Sequence, residues 1–211
     1  MKIYFCCIDD FDDLCGIELL WPDRQDKVAR YLMPADRARC LVGGLLMSRI
    51  LSISDASQLK FNSYGKPSLS NCFFNLSHSG MYVIMAVSDA EIGVDIEQIL
   101  PYSDDVAKKC FVLEEYRWLK QQGDLASFYA LWTAKESIMK ASGLGLQMAP
   151  ESFDVLPVAD GPRTVRGKTW FLYRHIHDGH QICIASEKEI YHIEMIHLSK
   201  SDLLNWSEEM A

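Results

Sequence analysis

No apolar run in this 211-residue chain approaches the roughly 20 residues that a helical membrane span needs, so a membrane partner is not expected. The opening Met1-Lys2-Ile3-Tyr4-Phe5-Cys6-Cys7-Ile8-Asp9 is too short in its apolar part, and too soon acidic, for a signal peptide. CxxC pairs are lacking: the seven cysteines are odd in number and Cys6-Cys7 are adjacent, which argues against a disulfide framework or structural zinc. A reducing, cytoplasmic setting is therefore expected. Basic charge is scarce, with 21 Lys and Arg against 29 Asp and Glu. A net charge of −8 makes a nucleic-acid partner unexpected, although a local basic pocket remains compatible with it. There is no GxSxG nucleophile motif. Gly143-Leu144-Gly145 follows a predicted helix instead of opening one, so a dinucleotide loop is not expected. Low-complexity segments are absent as well.

What is present reads as an ordinary globular protein, 49% apolar and 24% charged. A buried strand is predicted over 2–8 and a short helix over Arg24 to Leu32. A longer helix runs from about Asp36, carrying Leu41, Leu45, Leu46 and Ile50 at helical spacing. Gly43-Gly44 inside it cost helix propensity and suggest a close approach by another group. Phe73 to Leu76 reads as a strand entering a turn at Ser77-His78-Ser79-Gly80, with a returning strand over Met81 to Val87 and a third over Glu91 to Glu97. Helices follow at Ser103 to Cys110, at Leu113 to Gln122 before Gly123, and from an Asp124 cap to about Ala141. Strands are predicted near 152–158, 164–175, 180–186 and 190–198, with Asp178-Gly179 as a hairpin turn and a polar exposed tail from about Ser199. The expected fold class is α+β, made of two α/β halves over residues 1–100 and 101–211 with a linker near 99–104.

Chemistry concentrates in a few places. Asp95 and Glu97 lie two apart on a predicted strand, so both face one side, where an all-oxygen pair suits a hard cation; a solvated strand end is the plain alternative. On the long helix, spacing of about 100° per residue puts Lys135 in the middle of the apolar face and Glu136 and Lys140 at its edge. A lysine there can snorkel, and a Glu–Lys pair four apart can simply support the helix. Three charges on or beside one apolar face nevertheless point to a polar cavity. His78 sits in its predicted turn and Lys66 in the turn Gly65-Lys66-Pro67. Together these residues suit a metal-bound phosphate ester without naming it.

The ordered set Gly65-Lys66-Pro67, Phe74-Asn75-Leu76-Ser77-His78-Ser79, Ile92-Gly93-Val94-Asp95-Ile96-Glu97 and Trp132-Thr133-Ala134-Lys135-Glu136-Ser137-Ile138-Met139-Lys140 resembles the 4′-phosphopantetheinyl transferases of the longer, Sfp type. The resemblance covers about residues 20–155. It implies a pseudo-twofold pair of similar halves within a monomer, with the site in the cleft between them. It implies transfer of 4′-phosphopantetheine from coenzyme A to a serine of an acyl or peptidyl carrier protein. Carboxylates matching Asp95, Glu97 and Glu136 would hold Mg2+, with Glu136 also the base, and Lys140 would act beside it. Coenzyme A contacts would fall to Arg24, Lys27, Arg39, Cys40, Lys66, Ser77, His78, Lys135 and Lys140. The chain departs from the family pattern at Arg24, where a lysine is expected, and at Cys40, where a threonine is. A metal-dependent phosphodiesterase and a non-catalytic coenzyme A-binding module are the alternatives.

Overall fold

A computed structural model describes residues 1–11 and 14–206 of the chain. Two four-stranded sheets pack face to face, each with helices on its outer side. The first sheet contains β1 (Lys2–Cys7), β4 (Phe73–Ser79), β5 (Tyr82–Ser88) and β10 (Glu194–Leu198) in the order β10-β1-β5-β4. The second contains β6 (Ile92–Gln98), β7 (Gly161–Val165), β8 (Lys168–His177) and β9 (His180–Ser186) in the order β6-β9-β8-β7. A small hairpin, β2 (Lys60–Phe61) with β3 (Pro67–Ser68), stands apart from both. Each sheet thus borrows a strand from the far side of the chain's middle. β6 pairs antiparallel with β9, and β10 pairs parallel with β1.

Strand alternation builds the layers. Ile3, Phe5, Ile84 and Ala86 of the first sheet meet Val94, Ile96, Ile182 and Ile184 of the second in a dry inter-sheet core. On the first sheet's outer face, Tyr4, Phe74, Val83 and Met85 pack against α1 (Pro22–Arg30) and α2 (Pro34–Ile50). Proline begins both helices, where its missing N–H costs nothing. On the second sheet's outer face, Trp170, Leu172, Cys183 and Ala185 pack against α5 (Leu125–Ser142), flanked by α3 (Asp104–Cys110) and α4 (Leu113–Gln122). The Asp124 carboxylate caps α5 by accepting from the Ser127 amide at 2.7 Å, and Gly143 closes it at φ 69°.

The glycine pair in α2 does meet a close neighbour. A Cβ on Gly44 would lie 3.0 Å from Leu20 and from Arg24 Nε, and one on Gly43 would lie 3.1 Å from Arg24 Nη2. Other expectations need correction. Ser77-His78-Ser79 are the last residues of β4, and only Gly80-Met81 turn the chain. The stretch 152–158 forms no strand, and the strand predicted over 164–175 is two, turning at Arg166-Gly167. Ser199 opens α6 (Lys200–Leu204) as its cap, burying Leu203, so the expected tail is docked up to there; residues 207–211 of it lie outside the described residues.

Candidate active site

The site begins where α5 touches β6. A Cβ on Gly93 would sit 2.0 Å from Ser137 O and 2.3 Å from Ala141 N, so only glycine lets the helix backbone rest on the strand. Gly93, Asp95 and Glu97 share the face of β6 that looks toward α5. Glu136 and Lys140, one turn apart, are thereby brought over those carboxylates. The Lys140 ammonium donates to Asp95 Oδ1 at 2.6 Å and to Ser77 Oγ at 2.9 Å. Asp95 is 3% exposed, and its second oxygen, Oδ2, is buried with no partner.

A polar ladder from β4 holds β6 in register although the two strands belong to different sheets. Asn75 Oδ1, Ser77 Oγ and Ser79 Oγ accept from the backbone amides of Val94, Ile96 and Gln98 at 2.9, 3.3 and 3.0 Å. The same two serines donate to carboxylates, Ser77 to Asp95 at 2.9 Å and Ser79 to Glu97 at 2.8 Å. Side chains at every second position thus replace the strand pairing that the inter-sheet gap forbids, and aim the acids as they do so.

Burial, and then the Asp95 charge, push the Glu97 carboxyl above its ordinary range, while Ser79, the Trp132 indole and Lys140 pull it back. Burial likewise raises Glu136, aided by Asp95 and Glu97 and opposed by Lys140. Three acids that feel one another in a half-buried pocket are costly unless a cation joins them. Among the described residues, no three His, Cys, Asp or Glu side chains are already drawn to one metal-ligating point.

Beside the acids lies a cleft of about 430 Å3, walled by α1, α2, β4 and the β2–β3 hairpin. Arg24, Lys27, Arg39, Cys40 and His78 line it, with Tyr31, Phe61 and Pro67 supplying apolar surface. Arg24 is held by the Cys40 carbonyl at 2.9 Å, and Arg39 by Asp36 at 2.6 Å and Gly80 O at 2.7 Å. The surrounding protein, and then Arg39 and Lys140, push the His78 imidazole below its ordinary value. Because His78 feels both Arg39 of the cleft and Lys140 of the acid cluster, the two features adjoin.

Two lysines expected at the site are engaged by protein groups. Lys135 is fully buried on the opposite side of α5, in an ion pair of 2.7 Å with Glu115. It donates further to the carbonyls of Pro150 and Phe153. Glu115 in turn accepts from the Val112 and Val155 amides. Burial pushes this acid up and this lysine down, and their mutual attraction counters both. The helical wheel had placed Lys135 in the middle of the apolar face, and its charge is neutralised there inside the core. Lys66 is likewise not free: its ammonium donates to Glu91 Oε2 at 2.6 Å, Ala141 O at 2.8 Å and Ile92 O at 3.2 Å. Gly93, Asn75 and Ser79 were quoted only as motif members. A glycine facing the helix side of a strand, and polar residues at every second position of an otherwise apolar one, were their available signals.

Residues 91–191 match the profile of the 4′-phosphopantetheinyl transferase superfamily. The chain is 34% identical over 182 residues to the 4′-phosphopantetheinyl transferase Sfp of Bacillus subtilis, covering 80% of this chain and 76% of that protein. It is 36% identical over 140 residues to the 4′-phosphopantetheinyl transferase gsp of Aneurinibacillus migulanus, covering 62% and 59%. It is 30% identical over 181 residues to the 4′-phosphopantetheinyl transferase HetI of a Nostoc species, covering 78% and 76%.

Proposed function

The chain belongs to the 4′-phosphopantetheinyl transferase family, and from that premise we propose that it moves 4′-phosphopantetheine from coenzyme A to a serine of an apo acyl or peptidyl carrier protein, using Mg2+ and releasing adenosine 3′,5′-bisphosphate. The observation that carries this reading is the meeting of Glu136 and Lys140 with Asp95 and Glu97 beside a cationic cleft sized for a nucleotide.

The residues fit a magnesium ion. Asp95 Oδ2 is a buried carboxylate oxygen without a partner, and the neighbouring Glu97 and Glu136 complete an all-oxygen donor set. When bound, the ion neutralises charge on the bridging phosphates of coenzyme A. Lys140 supplies a positive charge at the same place, steadied by Ser77 and Asp95. Arg24, Lys27, Arg39 and His78 receive the nucleotide end, with Cys40 in the wall behind it. Glu136, one turn from Lys140 on α5, is the carboxylate that would take the proton of the carrier serine, a weak nucleophile that needs a base. A helix packed on the outer face of each sheet supports the pairing of two similar halves.

The test is stoichiometric. With coenzyme A, Mg2+ and an apo carrier, one adenosine 3′,5′-bisphosphate appears for each carrier serine lost. Nucleotide release without carrier modification would make the protein a phosphodiesterase instead.

A further inference from the structure

The end of α5 is held by a clamp that the transfer chemistry does not account for. The last carbonyls of a helix have no partner within it. Here Gly143 N takes Lys140 O, Lys66 Nζ takes Ala141 O at 2.8 Å, and Asn62 Nδ2 takes Gly143 O at 2.7 Å. The Asn62 Oδ1 atom accepts from the Tyr64 and Lys66 amides, both at 2.9 Å, which shapes the turn that delivers the lysine. An ammonium has three protons, and Lys66 directs one to each of Ala141 O, Ile92 O and Glu91 Oε2. Its side chain is 14% exposed. It therefore ties the C-terminal end of α5 to the start of β6, and its charge sits at the negative end of the helix dipole. Ala141 directly follows Lys140, and Ile92 directly precedes Gly93, so the tie lies beside the contact that sets Glu136 and Lys140 over the acids.

We propose that Lys66 is a positioning residue that clamps α5 onto β6, with Glu91 and Asn62 completing the clamp, and that its ammonium is not a ligand of coenzyme A phosphate. Pro67, Gly65 and Phe61 of the same hairpin line the cleft, so the hairpin contacts coenzyme A through those residues while the lysine faces the helix. The inference rests on the transferase reading, because what is positioned is the pair Glu136 and Lys140.

The experiment compares wild type with Lys66→Met, Lys66→Arg and Glu91→Gln. It measures kcat, the KM for coenzyme A, and hydrogen exchange at the amides of residues 137–143. The clamp predicts a kcat for Lys66→Met lower by about tenfold or more, since small misplacements of catalytic groups are costly. KM for coenzyme A stays within about twofold, as expected when ground-state binding is untouched. Exchange at the end of α5 accelerates, Lys66→Arg restores part of both losses, and Glu91→Gln shows a smaller change of the same kind. If Lys66→Met does not fold, Glu91→Gln and Lys66→Arg carry the comparison. A rise of about tenfold in KM for coenzyme A with normal kcat and unaltered exchange would make Lys66 a phosphate ligand and overturn the proposal. Should wild type modify no carrier, the transferase reading fails, while exchange in the Lys66 variants still decides the clamp.

Discussion

Asp95 shows how much one residue can carry in this site. One of its oxygens is shared by Ser77 and Lys140, the other is buried without a partner, and its charge adds to the burial that raises both neighbouring glutamates. A carboxyl whose native pKa is raised binds its proton more tightly in the fold than in the unfolded chain. Its contribution favours the fold below the ordinary value of 4.5, and that advantage is lost as pH rises through the raised pKa. Glu97→Gln and Glu136→Gln therefore should each melt higher than wild type in chelator at neutral pH, with the difference closing by about pH 4. Thermal denaturation across pH checks this; equal melting at neutral pH would show that burial and the Asp95 charge do not hold these carboxyls above their ordinary range. His78 offers a separate test at the cleft. His78→Ala should raise KM for coenzyme A by about tenfold with little change in kcat, and a kcat loss at constant KM would place the imidazole in the chemical step. The sequence made Asp95, Glu97, Glu136 and Lys140 legible through strand and helix spacing. It could not tell Lys135 from a site residue, because the buried partner that answers its charge, Glu115, lies on another helix.

At the level of elements, α5 and β6 act as one unit because Gly93 lets them touch. Gly93→Ala drives a methyl into the helix backbone, with contacts of 2.0 and 2.3 Å to be relieved. We expect a loss of at least about 2 kcal/mol of stability, as for overpacking in a tight core, together with at least a hundredfold lower kcat, roughly the cost of misplacing catalytic groups by an ångström. Gly123→Ala is the comparison. Gly123 is left-handed at φ 72° with nothing within 4 Å, so about 1–2 kcal/mol is lost and turnover is kept. Denaturant titration and initial rates separate the two outcomes; equal rates in both variants would contradict the contact. The main helices were legible from caps and apolar spacing, although α1 and α2 begin two residues earlier than expected, at Pro22 and Pro34. The β4 residues Ser77 to Ser79 read as a turn because polar residues ordinarily mark one, whereas here Ser77 and Ser79 bond to β6 across the sheets. Likewise 152–158 looked like a strand from its apolar residues, yet Phe153 and Val155 fill the helix-side core instead of pairing.

Across the whole molecule, two sheets exchange strands so that the first sheet's β4 and the second sheet's β6 stand side by side at the site. That exchange was not legible, since no local pattern announces that β10 returns to β1. The acidic surface has a consequence for the partner. A carrier that is acidic beside its serine would gain no long-range attraction from the net charge of −8 on this chain, so its docking would depend on a local patch. Along α3, α4 and the residues between them, Lys108, Lys109, Phe111, Val112, Arg117, Trp118 and Lys120 are of the residue types that suit such a patch, basic and apolar together. Phe111 is instead buried, and Lys108 and Lys120 both pair with Asp104, at 2.9 and 3.3 Å, holding that acid down to about 2. Lys109 and Arg117 remain exposed on this face. Lys109→Glu with Arg117→Glu should raise the carrier KM at low salt, less so at high salt, and leave coenzyme A affinity unaltered. An unchanged carrier KM at low salt would take this face out of the interface. The central claim is that the acids gathered by β6 and α5 transfer phosphopantetheine to a carrier serine. Intact-mass analysis of a panel of apo carriers, incubated with coenzyme A, Mg2+ and either wild type or Asp95→Ala, tests it most directly. The account predicts one phosphopantetheinyl adduct on the serine of at least one carrier with wild type and none with Asp95→Ala; an equal yield of adduct from both proteins would contradict it.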